Sequence, residues 1–335
     1  VLAPACSRKA ESGMVVKTRS PRVDLSRKLV LAQAWMTRAG THTNYYFLDS
    51  ESLRIPGYHR YQMKRHPGNW PALVNAKSAE YVDELVLINL MIGLSDQVPL
   101  NYLHPSFGYY FEYFSQHSRG LTVSLKRYPT NSIAGPPLTD IEIAENEKLW
   151  SEHYAALDRL KPFVSPPTSG TGFREGLMER LHIPFEPNAT AVTLGSYYSL
   201  SLNFWGVQLQ RAGRLKEAER HFQTALELND KNIAAKGNLD LNRILQTELA
   251  PPFRIPRSFE EELVGYRNVQ ELLRATGPLD DPSQLYGQAV VFALGNLVRQ
   301  STQEFERVNS LVPGNTIVRL WLARLYIVNG FPQKA

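Results

Sequence analysis

At 335 residues the chain is longer than a usual single domain, so length favours two domains with separate cores. Hydrophobic residues at 43% and charged residues at 21% match ordinary globular usage and exclude a disordered chain and a collagen-like fibre, while the single Cys6 excludes an internal disulfide and any cysteine-based metal site but leaves the redox compartment open. The formal net charge of +5 is uneven: residues 1–130 hold 16 basic and 9 acidic side chains against 21 and 23 thereafter, a surplus that suits anionic lipid headgroups, nucleic acid or a plain solvated surface.

In chain order, the opening VLAPACSRKAESG lacks an initiator Met and a continuous apolar stretch, and Ala3-Pro4-Ala5 before Cys6 is a poor lipoprotein cleavage site, so the segment is not a secretory signal and the sequence reads as a fragment. Helix-like and strand-like stretches then alternate from Val15 to Pro129. Asp24-Leu25-Ser26 caps an expected helix over 24–37 with Leu25, Leu29, Ala32 and Trp35 on one face. Asn44-Tyr45-Tyr46-Phe47-Leu48-Asp49 reads as a buried strand, a second helix follows Pro56, and a third covers 79–94. Within it the longest apolar run, 85–94, is broken by Asn89 and falls short of the roughly 20 residues a bilayer requires. Strands follow at 100–103 and 121–125. The pattern predicts a small α/β layer domain over 1–130.

Residues 131–175 form a Pro-rich connector with one helix over 139–160, carrying Trp150 and Leu157, and helical periodicity takes over near 165. The helical region, 176–335, has a 34-residue period. In the unit 199–232, Trp205-Gly206 take positions 7–8, Leu209 position 11, Gly213 position 15, Ala218 position 20, Phe222 position 24 and Ala225 position 27. Two antiparallel helices approach closely only where small side chains sit at the crossing, which is what Gly206, Ala218 and Ala225 supply. A second unit, 233–281, holds an insertion and an expected second helix over 259–275. A third covers 282–315, with Ser301 in place of the small Ala, and a fourth, 316–335, stops halfway with Leu320, Leu322, Leu325 and Tyr326 expected to face solvent.

The spacing closely resembles a tetratricopeptide repeat (TPR), which implies α/β plus all-α architecture ending in a superhelix of helical hairpins. It also implies a groove for a protein or peptide, lined at positions 2, 5, 9, 12 and 13 by residues that include Asn203, Gln210, Arg211, Tyr286 and Arg324. A second resemblance rests on Pro56-Gly57-Tyr58-His59-Arg60-Tyr61, on Asn101-Tyr102-Leu103-His104-Pro105-Ser106-Phe107-Gly108-Tyr109-Tyr110-Phe111-Glu112, on Ala144-Glu145-Asn146-Glu147 and on Leu202 through Gly213. These stretches are similar to the soluble portion of large bacterial membrane proteins, notably from verrucomicrobia-like bacteria, related to transmembrane protein O-mannosyltransferases of the GT-C type. The resemblance implies an extracytoplasmic, periplasmic-face segment, joined to the membrane through segments before Val1, with no catalytic role and TPRs as interaction scaffold; a cytoplasmic TPR adaptor is the alternative location.

Among chemistry-bearing stretches, His104 and Glu112 at the end of a strand offer an acid and a base among aromatic rings, as a soluble α/β hydrolase or transferase would need. Equally, the rings pack the domain while His104 and Glu112 satisfy buried backbone groups. His59 and His66 lack a third ligand, Ser169-Gly170-Thr171-Gly172 lacks the strand and Lys of a phosphate loop, and Lys64-Arg65-His66 is too short for a nucleic-acid footprint. No metal, cofactor or nucleic-acid partner is therefore expected.

Overall fold

The computed structural model describes residues 13–17, 45–50, 52–66, 68, 70–71, 81–164, 188–247, 249–256 and 266–335. The expected helix over 24–37, Cys6, the 169–172 stretch and the boundary near 165 lie outside the described residues. The chain divides into two compact units. One comprises Val1–Leu103, Tyr113–Gln116 and Thr122–Arg127, the other His104–Glu112, His117–Leu121 and Tyr128–Ala335.

Strands β1 (Gly13–Lys17), β2 (Tyr45–Asp49), β3 (Leu100–Tyr102), β4 (Phe114–Arg119) and β5 (Thr122–Arg127) form one sheet in the order β2-β1-β3-β5-β4. β1 is parallel to both β2 and β3, with Val15 in register with Phe47 and Asn101, and β3 is antiparallel to β5, with Asn101 opposite Ser124. All three residues of β3 are buried, as a central strand covered on both faces requires. Helix α1 (Pro56–Arg65) begins on a proline, whose missing N–H is tolerated in a first turn. Helix α2 (Glu84–Ser95) starts later than the periodicity suggests because Asp83 caps it, accepting the Leu85 N–H at 2.8 Å. Leu87, Leu90, Met91 and Leu94, spaced at helical intervals, join Leu48, Leu53, Leu100 and Tyr102 among the buried apolar side chains of this unit.

The second unit is mostly helical. α3 (Asp140–Val164) opens with a capping box in which Thr139 and Glu142 satisfy each other's backbone N–H. α4 (Ala189–Arg211), α5 (Leu215–Leu228), α6 (Ile233–Gln246), α7 (Val269–Thr276), α8 (Pro282–Leu294), α9 (Val298–Leu311) and α10 (Thr316–Val328) follow. Three inter-helix turns share one geometry. The residue at repeat position 15 is left-handed in each, Gly213 at φ 77°, Asn296 at φ 58° and Gly330 at φ 80°. The N–H one residue later reaches back to the carbonyl at position 11: Arg214 to Leu209, Leu297 to Phe292, Phe331 to Tyr326. This is a Schellman closure, which satisfies orphan carbonyls and reverses the chain at a fixed angle.

Packing explains the small residues. A Cβ at Gly206 would lie 2.5 Å from Phe222 Cε1, so α4 and α5 meet at their observed distance only with glycine there. Ser301, the departure from the small Ala, is fully buried and donates its hydroxyl to the Ala289 carbonyl at 2.7 Å. One apolar core gathers around Trp150, Trp205, Phe222 and Leu239 and a second around Tyr286, Phe305, Leu322 and Leu325. Leu322 and Leu325, expected to face solvent, are therefore buried, because they sit among α9 side chains such as Phe305 and Val308. Leu320 alone of that group of leucines is open, at 65% exposure.

Candidate functional site

Three of the expected groove residues come together, and the chain itself occupies the space in front of them. Asn203 on α4 donates its amide to the Thr276 carbonyl at 2.8 Å and the Pro278 carbonyl at 3.0 Å. Asn238 on α6 donates to Asn203 Oδ1 and to the Pro278 carbonyl, and accepts the Asp280 N–H at 2.7 Å. Gly277 permits the approach: it is left-handed at φ 82°, and a Cβ there would stand 2.9 Å from Asn203 Nδ2. Two asparagines thus read the backbone of an extended segment, 276–280, by its peptide groups.

The segment ends in a fully buried carboxylate. Asp280 accepts from Arg211 Nε at 2.8 Å, from Gln210 Nε2 at 2.9 Å and from Arg307 of α9, while Arg211 also pairs with Glu304 at 3.1 Å. Burial alone would raise the Asp280 carboxyl, but the facing guanidiniums of Arg211 and Arg307 outweigh it and hold the group below its ordinary value. The arrangement is a carboxylate clamp closed on the protein's own chain.

The equivalent face of α8 is covered too. The Arg254 N–H donates to Ser283 Oγ at 3.0 Å, and the Phe253 ring stands edge-on to Tyr286 at 5.9 Å between centroids. Tyr286 is therefore a buried member of the second core and not a neighbour of Asn203. On α10 the corresponding positions are Ile317, Leu320, Arg324, Ile327 and Val328. Leu320, Ile327 and Val328 are more than 60% exposed, and Arg324 is exposed beside the Trp321 ring.

His104 and Glu112 both belong to the second unit, on different tasks. The Glu112 carboxylate accepts the N–H of Arg299 at 2.9 Å and of Gln300 at 3.1 Å, and Arg299 Nη1 donates back to the Glu112 carbonyl at 2.5 Å. It is thus the anionic cap of α9, whose own N-cap position is Leu297 and supplies no side-chain acceptor. His104 is buried, with Nδ1 3.0 Å from the Pro105 carbonyl, and burial pushes its imidazole down to about 4, aided by the charge of Arg274.

A further polar cluster, not singled out in the sequence, ties α3 to the α4–α5 pair. Glu147 Oε1 accepts from Trp205 Nε1 at 2.7 Å and from His221 Nε2 at 2.5 Å, Oε2 accepts from Arg220 at 2.6 Å, and His221 Nδ1 is 3.1 Å from the Tyr154 hydroxyl. Hydroxyl, imidazole and carboxylate stand in the order of a base relay. Burial raises the Tyr154 phenol, however, which opposes its use as a nucleophile, and the Glu147 carboxylate is shared among three donors, so the cluster acts as a strut. Asn238 stands 35 residues from Asn203, one off the 34-residue period, so the repeat does not flag it. Asp280 and Arg307 carry no local signal, since their partners lie 69 to 70 and 27 residues away.

Among the described residues no group of three His, Asp, Glu or Cys is placed to hold a metal ion, and no helix is long and apolar enough to cross a membrane. No family model matches the chain, and no curated protein matches it.

Proposed function

We propose that the chain is a non-catalytic interaction scaffold, an α/β unit followed by TPR-like hairpins, in which α10 offers the binding face for an extended, apolar segment of a partner protein that carries a carboxylate. The observation that carries this reading is the pattern of cover along repeat-equivalent faces. On α4 and α6 it is an extended stretch ending in Leu279-Asp280, on α8 it is Phe253-Arg254, and on α10 the same positions are aliphatic, exposed and centred on Arg324. Helix α10 has no acidic residue and carries Arg319 and Arg324, so a carboxylate in the partner gains both charge and guanidinium geometry.

The test is a display library of random peptides panned against the wild-type chain and against Leu320→Asp and Arg324→Glu. Apolar sequences with one acidic residue are expected to be enriched, and each substitution is expected to weaken them by about tenfold or more. Enrichment that neither substitution affects would move the site elsewhere.

The same reading makes this scaffold the extracytoplasmic part of a membrane protein related to O-mannosyltransferases, with the chemistry performed in its membrane region. Support comes from the sequence resemblance and from the commitment of Glu112 to the start of α9, which removes the most promising base from chemistry in the segment. The codons upstream of Val1 check the placement: several apolar runs of roughly 20 residues are expected there, and a start codon without them would sink it.

A further inference from the structure

In the first unit, α1 turns His59 and Gln62 inward and leaves Arg60, Tyr61, Met63, Lys64 and Arg65 exposed. Tyr61 at 52% and Met63 at 45% exposure stand among three cations. Arg54 is neutralised by Glu84 at 2.6 Å, but among the described residues no carboxylate pairs with Arg60, Lys64 or Arg65. Arg65 instead donates to the Tyr61 hydroxyl at 2.9 Å and lies 5.9 Å from the centroid of its ring. A second exposed group adjoins this helix. The Val82 N–H donates to the Arg54 carbonyl at 2.9 Å, and with the Arg54–Glu84 pair this fixes the start of α2 beside the start of α1. Ile55, Tyr81 and Leu85 are gathered there, at 51%, 70% and 65% exposure.

We propose that this face docks on an anionic lipid surface, with Ile55, Tyr61, Tyr81 and Leu85 entering the headgroup layer and Arg60, Lys64 and Arg65 meeting lipid phosphates. Aromatic rings with one apolar body and one polar tip, set beside long cationic side chains, are the combination that a membrane interface accommodates. The cations supply attraction, about fivefold in partitioning for each. A nucleic acid would meet the same cations but would offer nothing to Ile55 and Leu85. The inference is independent of the α10 binding face, which lies on the other unit.

The experiment is co-sedimentation of the full chain with vesicles of phosphatidylcholine alone and of phosphatidylcholine mixed with phosphatidylglycerol. Binding to the mixed vesicles only, weakening as salt rises, is expected. The triple variant R60Q/K64Q/R65Q should lower partitioning about a hundredfold, and Y81S/L85S should lower it about tenfold while leaving the salt dependence intact. All five side chains are exposed, so folding is expected to survive, and far-ultraviolet circular dichroism checks that. Failure of the wild type to bind the mixed vesicles, or unchanged binding by the triple variant, overturns the proposal. If Y81S/L85S binds as the wild type does and duplex DNA displaces the vesicles, the face serves a polyanion and the lipid assignment falls.

Discussion

The two residues with the most reactive look in the sequence turn out to hold the fold. Glu112 supplies from a distant 3-10 turn, Tyr109–Glu112, the acceptor that α9 lacks at Leu297, so its charge meets the unpaired N–H groups of a helix start. His104 has the opposite character, an imidazole kept neutral by burial, and this makes a definite acid dependence. Its folded value is about 4 against 6.5 for an ordinary histidine, so between those values the unfolded chain binds the extra proton. The contribution of neutral His104 is therefore complete above pH 6.5 and lost as pH falls towards 4, by about 3 kcal/mol. Urea unfolding free energies of wild type and His104→Gln, measured across that window, should converge as the pH drops. Parallel curves would mean that His104 titrates normally and is not desolvated.

At the level of elements, what could be read in advance is what is written locally. The Gly213 turn and the small residues at Gly206, Ala218 and Ala225 are short-range signals, and the helices they join are present, whereas the cap at Asp83, equally local, is not in the periodicity, and the helix expected from 79 begins at Glu84. The resemblance to the tetratricopeptide repeat singled out Asn203, Gln210 and Arg211 together, and their side chains bind one segment, 276–280. What the period did not hold was that occupant. Residues 276–280 come from the insertion that breaks the repeat, and nothing in Thr276-Gly277-Pro278-Leu279-Asp280 by itself announces partners on α4, α6 and α9. Strand β4 was missed for a related reason. Phe114-Ser115-Gln116-His117-Ser118-Arg119 is mostly polar, and an edge position in the sheet tolerates that where a central strand would not.

Across the second unit, two apolar cores must act together, and Asp280 is the polar group that spans them. Gln210 and Arg211 stand on α4 beside the first core and Arg307 on α9 within the span of the second, and all three donate to the one carboxylate. A buried charge of this kind contributes little net stability when complete, but its loss leaves the facing charges uncompensated. Asp280→Ala strands the Arg307 guanidinium at 16% exposure, while Arg211, at 33%, keeps Glu304, so the low end of the usual penalty applies, about 3 kcal/mol. The cores should also lose their coupling. In Asp280→Ala, amide exchange in α8, α9 and α10 should accelerate more than in α4 and α5, whereas in the wild type the slowest amides of both sets should share one opening free energy. The carboxyl is held below its ordinary value, so its contribution is present above the unfolded-chain pKa of 3.8 and fades only as pH falls below that through the folded value. Replacing Asp280, Arg211, Arg307 and Glu304, the second partner of Arg211, together with apolar residues should restore much of the loss, because no member of the charge cluster is then left alone. If Asp280→Ala instead keeps the stability of the wild type and exchanges uniformly, the cores are held together by the helix contacts alone and the clamp is incidental.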